Sequence, residues 1–113
     1  MTDRMRRVNE AVREVVSARL AEGLRDPRIG FVTVTSVDTS PDLRHARVYV
    51  SVLGSEDERA ATMAGLESAH GVLQRSVASE LRMKHTPTLE FLFDESIQRG
   101  MRISELLDHG EGA

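Results

Sequence analysis

Apolar side chains recur at helical spacing along the first part of the chain. Charged side chains fall on the opposite side of a helical projection, so this amphipathic pattern predicts a first helix over about residues 3–24. The helix should end near Asp26-Pro27, because proline disfavours helical backbone in the residue before it. The apolar positions are Met5, Val8, Val12, Val15, Val16 and Leu20.

Two stretches of alternating polarity follow this helix. The first, FVTVTSVDTS (31–40), is rich in β-branched residues, and its apolar phase slips between Val34 and Val37. This pattern predicts a strand with a β-bulge near Ser36. The second, RHARVYVSV (44–52), alternates without a slip, and a short turn joins it to the first, so we expect an antiparallel hairpin. The inward positions of the second strand are Ala46, Val48, Val50 and Val52.

The next segment predicts two consecutive helices. Ser55 and Glu58 have the spacing of a capping box, so one helix begins there and should reach about His70. The other should run from Gly71 to about Lys84. A glycine inside a helix costs roughly 1 kcal/mol relative to alanine. Gly71 therefore indicates either a bend in the chain or a partner that approaches the backbone.

The remaining residues complete one predicted domain, residues 1–108. TLEFLF (88–93) predicts a third strand, residues 95–107 predict a short helix interrupted at Gly100, and residues 109–113 predict a frayed tail. The element order is that of an α+β fold in which helices cover one face of a three-stranded sheet. The inward face of the third strand carries Leu89, Phe91 and Phe93.

Composition is that of an ordinary soluble protein and excludes several classes. Of 113 residues, 40% are hydrophobic and 29% are charged, and none is cysteine, so disulfides and thiolate metal sites are excluded. The first residues have no apolar segment typical of a signal peptide, and no apolar run approaches the roughly 20 residues of a membrane span. We therefore expect a cytoplasmic protein with no membrane partner.

The distribution of charge is more informative than the net charge of −3. Acidic residues gather in residues 55–70, where one arginine stands against four acids, and again in residues 88–113, where two arginines stand against six. The negative net charge by itself argues against a nucleic-acid partner, but this distribution is compatible with a basic face elsewhere on the molecule.

Nothing in the sequence indicates a catalytic or metal site. Phosphate-binding glycine loops and nucleophile motifs are absent. Asp42 and Asp94 are candidates for a pair of acids, but their positions in a turn and before a helix favour capping. We predict no enzyme activity, no small-molecule substrate, no metal and no cofactor. None of the histidines has a partner at metal-ligand spacing; they are His45, His70, His85 and His109.

The predicted helix 71–84 carries the strongest candidates for contacts with RNA. Arg75 and Arg82 fall on one face with Ser79, away from the apolar stripe. Both a phosphate-binding face and a merely solvated face fit this pattern. Aromatic residues that could stack on bases are scarce, and Tyr49 is the one expected to be exposed, so any RNA should be held through its backbone. Secondary candidate RNA contacts are Arg47, Lys84 and His45.

Three segments together resemble the bacterial ribosome-binding factor A family, which has a type II KH-like fold. They are DPRIGFVTVTSVDTSPDLRHARVYVSVL (26–53), LESAHG (66–71) and TPTLEFLFDESIQRGMRISELL (86–107). KH domains usually clamp RNA backbone with a Gly-x-x-Gly loop between two helices. The sequence has no such loop, and Ala69-His70-Gly71 resembles the interhelical kink that replaces it in this family, so we interpret Gly71 as the residue that bends the chain.

The resemblance implies a non-enzymatic assembly factor. Such a protein would bind the free small (30S) ribosomal subunit and its 16S rRNA as a monomer. It would assist late maturation of the subunit, including 16S rRNA processing, especially in the cold. The alternative is a generic KH-like module that binds single-stranded RNA, which the missing Gly-x-x-Gly loop disfavours.

Overall fold

A computed structural model describes residues 1–96 and contains the predicted order of helices and strands. Of the predicted helix over residues 95–107, the structure describes residues 95 and 96. The rest of that helix and the predicted tail 109–113 lie outside the described residues. The elements are α1 (Asp3–Glu22), β1 (Val32–Thr39), β2 (His45–Val52), α2 (Glu56–Ser68), α3 (His70–Leu81) and β3 (Thr88–Phe93).

Helix α1 has a polar cap at its start and a glycine at its end. The Thr2 hydroxyl oxygen accepts a hydrogen bond from the Met5 amide at 3.1 Å, which satisfies one of the free amides of the first turn. The helix ends at Gly23, whose φ of 92° leaves the helical region. This end comes about two residues before the predicted one, because the positive φ of glycine stops the helix before the proline is reached.

The three strands form one sheet in the order β1-β2-β3. β1 and β2 are antiparallel, whereas β2 and β3 are parallel. The register shifts between Val34 and Ser36, which leaves Thr35 without a partner and confirms the predicted β-bulge. The Thr35 hydroxyl donates to Asp94 at 2.6 Å, and this bond ties the bulge to the end of β3.

The helices cover one face of the sheet and enclose the core with it, as predicted. The alternating residues of β2 are fully buried, whereas Val52 and Phe93, which were predicted to face inward, are half-buried at the end of the sheet. One polar pair lies inside this layer: the Asn9 side-chain oxygen accepts bonds from the amide and the hydroxyl of Thr39, which joins α1 to β1. The core residues of the three helices are Val8, Val12, Val16, Leu66, Leu73 and Val77.

Helix α2 begins with the predicted capping box. The Ser55 hydroxyl accepts from the Glu58 amide at 3.2 Å, and the Glu58 carboxylate accepts from the Ser55 amide at 3.3 Å. The segment that precedes β1 is hydrogen-bonded to the middle of α2. The Thr62 hydroxyl accepts from the Gly30 amide at 3.1 Å and donates to the Arg28 carbonyl at 3.2 Å. Both polar groups of this half-buried contact are thereby satisfied.

Candidate nucleic-acid interface

Helices α2 and α3 are separated at Ala69, the first of the three residues predicted to form the kink. The Ala69 amide donates to the Gly65 carbonyl at 2.9 Å, and the Ala69 carbonyl accepts from the Leu73 amide at 3.1 Å, so this residue ends one helical ladder and begins the next. Its ψ of 1° departs from helical geometry. His70 and Gly71 are the first two residues of α3.

Gly71 does not cause the break between the helices. The glycines with positive φ among the described residues are Gly23 and Gly54, so Gly71 has a backbone conformation open to any residue. It is exposed, and the one heavy atom that a Cβ added there would meet within 4 Å, among the described residues, is Nη1 of Arg75 at 3.4 Å. Our interpretation of Gly71 as the bending residue is therefore wrong, and its exposure favours the approach of a partner.

His70 faces the sheet instead of the solvent. Its Nε2 lies 2.8 Å from the Leu89 carbonyl oxygen, and its ring meets Phe91 edge to face, with centroids 6.2 Å apart. The side chain is half-buried. Of the three predicted kink residues, Gly71 alone is exposed.

Arg75 is exposed, as predicted, on the side of α3 opposite the core. It borders a groove between α1 and α3. The groove also carries Glu14, Arg19 and Glu22 of α1, and the Arg19 guanidinium donates to Glu22 at 3.1 Å. Helix α3 adds the Arg75 guanidinium and the Glu80 carboxylate, so three carboxylates and two guanidiniums line this groove.

Arg82 lies beyond the end of α3. The helix ends at Leu81, three residues before the predicted end, and Arg82 is its C-cap with φ 50° and ψ 36°. This left-handed conformation redirects the chain, so Arg75 and Arg82 do not continue one helical stripe as the sequence predicted. Arg82, Lys84 and His85 are nevertheless exposed, and they lie in the connection to β3.

The structure places Arg47 and His45 in a different layer from α3. They alternate with buried residues of β2, so their side chains project from the uncovered face of the sheet. Arg47 stands opposite Asp38 on one neighbouring strand and Glu90 on the other. A cation with two flanking carboxylates is a weaker phosphate site than an isolated one, because the local charge is negative.

A basic cluster that the sequence analysis missed forms at one end of the sheet. Arg7 borders a groove that Leu81 and Met83 also line, which places the start of α1 beside the end of α3. The β1–β2 turn reaches the same end, since the Arg44 carbonyl accepts from the Thr88 amide at 2.8 Å. We define the basic end by five exposed residues of these elements: Arg4, Arg7, Arg44, Arg82 and Lys84.

The opposite end of the sheet is acidic. Helix α2 begins where β2 has ended, and its first turn carries Glu56, Asp57 and Glu58. The two ends of the sheet therefore differ in charge, although acids also lie at the basic end: Asp42 is in the turn with Arg44, and Glu14 and Glu80 line the groove with Arg7. A polyanion should be attracted to the basic end and repelled from the acidic end.

Sequence comparisons identify relatives over nearly the whole chain. The family model for ribosome-binding factor A matches residues 4–107. The chain belongs to the ribosome-binding factor A family. It is 48% identical to the ribosome-binding factor A of Geobacter metallireducens, over 95% of this chain and 91% of the relative. It is 55% identical to that of Anaeromyxobacter dehalogenans strain 2CP-C, over 93% of this chain and 77% of the relative.

Solved structures of this family share the fold. The crystal structure of ribosome-binding factor A from Thermus thermophilus aligns with a TM-score of 0.70 and 26% identity, over 81% of this chain and 97% of the other. A Thermus thermophilus homology model fitted into a cryo-EM map of a 30S complex aligns with a TM-score of 0.60 and 28% identity, over 85% and 97% of the two chains.

Other kinds of site find no support in the part of the chain that the structure describes. Within residues 1–96, no group of three or more histidine, aspartate or glutamate side chains is placed to hold a metal ion, and no helix is long and apolar enough to cross a membrane. Asp42 and Asp94 lie at opposite ends of the sheet. Asp42 accepts from the Ser40 hydroxyl and the Arg44 amide, which lower the pKa of its carboxyl group, so it stabilises the β1–β2 turn.

The exposed aromatic residue also differs from the expected one. Tyr49 is half-buried, whereas Phe31, just before β1, is 81% exposed. It lies far along the sheet from the basic end, because the start of β1 pairs with the end of β2. The described residues of the basic end therefore present cations without an aromatic stacking platform, which favours contact with RNA backbone.

Proposed function

We propose that this protein binds the free 30S ribosomal subunit through its 16S rRNA and assists late maturation of the subunit. The observation that carries the proposal is the match to the ribosome-binding factor A family over residues 4–107. The Thermus thermophilus homologue, fitted into a 30S complex, supports it. We extend the proposal to 16S rRNA processing and to growth in the cold, and we propose that the protein acts as a cytoplasmic monomer without catalysing a reaction.

The exposed side of α3 is proposed as the first RNA contact. The amides at the start of a helix lack helical acceptors and carry positive partial charge, so they attract phosphate. Gly71 has no side chain to keep a phosphate away from these amides, and the Arg75 guanidinium lies beside it. A guanidinium also matches phosphate oxygens in a two-pronged geometry.

The conformations of two residues support the choice of this surface. Gly71 occupies a helical position where alanine would be more stable, and Arg82 adopts a φ of 50° where glycine would be more stable. Both residues are exposed. Departures from local preference on a surface are typical of functional positions, because stability alone would replace both residues.

The basic end is proposed as the second RNA contact. Arg82 and Lys84 would bind phosphates together with Arg4, Arg7 and Arg44. Arg47 and His45 remain candidates, but we expect smaller contributions from them because of the adjacent Asp38 and Glu90. The alternative function, a generic module for single-stranded RNA, predicts binding to short oligonucleotides as tight as binding to intact subunits.

Sucrose-gradient sedimentation and direct binding test the proposal. The protein should migrate with free 30S subunits, and short single-stranded RNA should not compete. Migration with 50S subunits or polysomes would contradict the proposal, and effective competition by oligonucleotides would favour the generic module. A strain without the protein should accumulate 16S rRNA precursor, with a stronger growth defect in the cold; normal 16S rRNA at low temperature would contradict the maturation role.

Substitutions then test the surface. Arg75→Glu with Arg82→Glu should flatten the slope of log affinity against log salt by about 1.4 to 1.8 units, from about 0.7 to 0.9 for each of the two lost phosphate contacts. Stability should change by only about 0.5 kcal/mol per exposed site. Arg25→Glu, in the exposed connection after α1, is the control with the same charge change as each single variant. An unaltered salt slope would show that α3 and its C-cap are solvated surface.

A further inference from the structure

The outer edge of β3 is bonded by side chains of α3. β3 is an edge strand of the described sheet, so one side of its backbone has no neighbouring strand there. Gln74 Nε2 donates to the Pro87 carbonyl at 2.8 Å, and Gln74 Oε1 accepts from the Leu89 amide at 2.9 Å. One side-chain amide therefore satisfies a backbone acceptor and a backbone donor at the start of the strand.

His70 completes this arrangement. Its Nε2 lies 2.8 Å from the Leu89 carbonyl oxygen. A carbonyl can only accept, so Nε2 must carry the hydrogen and donate it. We call His70 and Gln74 the clasp: together they bind both backbone polar groups of Leu89 and the carbonyl of Pro87.

The clasp fixes the rotation of α3 about its own axis, which apolar packing alone determines only loosely. Leu73 and Val77 are fully buried and hold α3 against the core, but hydrophobic contact has little directionality. His70 and Gln74 are four residues apart on one side of the helix, and their three hydrogen bonds to β3 resist rotation about the helix axis. Gly71 and Arg75, each one position further along, are thereby kept on the exposed side.

The clasp also stabilises the start of α3. Among the described residues, no side chain caps the start of α3. His70 is the first residue of the helix, so its bond to Leu89 anchors the turn that carries Gly71. The ring of His70 packs edge to face on buried Phe91, which restricts the same turn further.

We infer that His70 and Gln74 are positioning residues for RNA binding: by clasping the edge of β3, they set the rotation of α3 that presents the Gly71 backbone and the Arg75 guanidinium to rRNA phosphates. This inference rests on the proposed function. It assigns the two side chains a role beyond stability, since a rotated α3 would remain packed on the core while its phosphate contacts were misaligned.

A double-mutant cycle tests the inference. Gln74→Met removes both hydrogen bonds at similar size and should weaken binding to 30S subunits on the order of tenfold, measured well below the melting temperature. In an Arg75→Ala background the same substitution should have a smaller effect, because only the contact at the Gly71 backbone is left to misalign. His70→Phe, which keeps a ring on Phe91, should show the same coupling and keeps the test available if Gln74→Met does not fold.

A matched control separates positioning from stability. Val77→Ala removes buried volume from the same helix and should lower the melting temperature, yet leave affinity for 30S subunits within about twofold at a temperature where it is folded. His70→Gln, which restores a donor toward the Leu89 carbonyl, should recover part of the binding lost in His70→Phe.

The outcomes distinguish the inference from the proposed function. If Arg75→Ala weakens 30S binding but the clasp variants bind like the parent, or their effects add fully to that of Arg75→Ala, the positioning role is overturned and the proposed function stands. If the parent protein does not bind 30S subunits at all, the proposed function fails and this inference fails with it.

Discussion

Two glycines of the α2–α3 unit occupy helical backbone for different reasons. Gly65 is buried in α2, and a Cβ added there would lie 2.6 Å from Cγ1 of Ile29, closer than carbon atoms approach one another. Gly71 is exposed in α3, and the same added atom would meet only the flexible end of Arg75 among the described side chains. Packing inside the molecule requires the first glycine, whereas nothing described around the second does.

The comparison separates a structural region from a candidate binding region. Around Gly65, the segment before β1 is tied to α2 by the two bonds of Thr62 and by the bond from Arg28 to the Ser68 hydroxyl at 2.8 Å. Around Gly71, the absent side chain leaves open space. Substitution by alanine should therefore have opposite effects on stability at the two sites, although both are helical glycines.

The largest effect is expected for Gly65→Ala. The new methyl group would overlap Ile29 and force the segment before β1 away from α2, which should lower the free energy of unfolding by about 1–3 kcal/mol. The gain in helix propensity of about 1 kcal/mol offsets only part of this loss. Urea denaturation of both proteins measures the difference. Equal midpoints would show that Ile29 yields without cost and that the contrast between the glycines is unimportant.

Gly71→Ala should do the reverse. Because the site is helical and open, the variant should gain up to about 0.5–1 kcal/mol in stability. Affinity for 30S subunits should fall, since the methyl group would stand between the start of α3 and a phosphate. Melting temperature and 30S affinity are to be measured on the same preparation. A variant that is more stable and binds as well as the parent would remove Gly71 from the proposed interface.

Arg82→Gly tests the same opposition of stability and phosphate binding at the other end of α3. Glycine adopts the left-handed C-cap conformation without a steric penalty, so the variant should be more stable by about 0.5–1 kcal/mol. It should also lose one phosphate contact, with a salt slope shallower by about 0.7 to 0.9 units. Arg82→Ala serves as the control, because it loses the same charge without relieving the backbone. Equal stability of the two variants would argue against strain at this cap.

The smallest expected effect is a pH dependence of stability. It arises from Asp26 and Arg28, in the segment that packs against α2 near Gly65. The Arg28 guanidinium and amide bind the Asp26 carboxylate and lower its pKa from 3.8 to about 2. In the unfolded chain the carboxyl group takes up a proton first as pH falls. The stabilisation is therefore complete above about pH 4 and is lost as pH falls towards about 2.

Asp26→Asn should abolish this part of the acid dependence. Stability of the parent and the variant, measured by denaturant titration at several values between pH 5 and about 2, should converge as the pH falls, because the parent loses a contribution that the variant lacks. Parallel curves would show that the pair at the start of this segment does not contribute to its docking on α2. Binding to 30S subunits at neutral pH should change less than in Gly71→Ala, since neither Asp26 nor Arg28 is a proposed RNA contact and Arg28 keeps its bond to Ser68 at the end of α2.

Local pattern was sufficient wherever neighbours along the chain decide the outcome. The period of the apolar residues predicted all three described helices and all three strands, the phase slip at Ser36 predicted the bulge, and Ser55 with Glu58 predicted the capping box. Helix ends were less accurate. Gly23 and Arg82 both adopt positive φ, and these local conformations ended α1 and α3 two or three residues earlier than the apolar repeat suggested.

The candidate site could be predicted only in part, because its members come together through the fold. Arg75 was identified correctly as an exposed residue from helical spacing. Arg4, Arg7 and Arg44 were missed, because only the antiparallel packing of α1 on α3 and the hairpin turn bring them to the end that carries Arg82. Arg47 became a weaker candidate for an RNA contact because the strand register, which periodicity does not reveal, places it between Asp38 and Glu90.

Spacings and motifs within continuous segments were enough to specify the elements, their order, the apolar face of each and the family, because each of these is local along the chain. Tertiary structure decided which helical glycine is indispensable, which edge of the sheet α3 clasps, and where positive charge accumulates. Each of these depends on a contact between residues distant in sequence: Gly65 with Ile29, Gln74 with Leu89, and Arg7 beside the end of α3. Periodicity carries no information about such contacts, since they arise only when separate faces pack against one another.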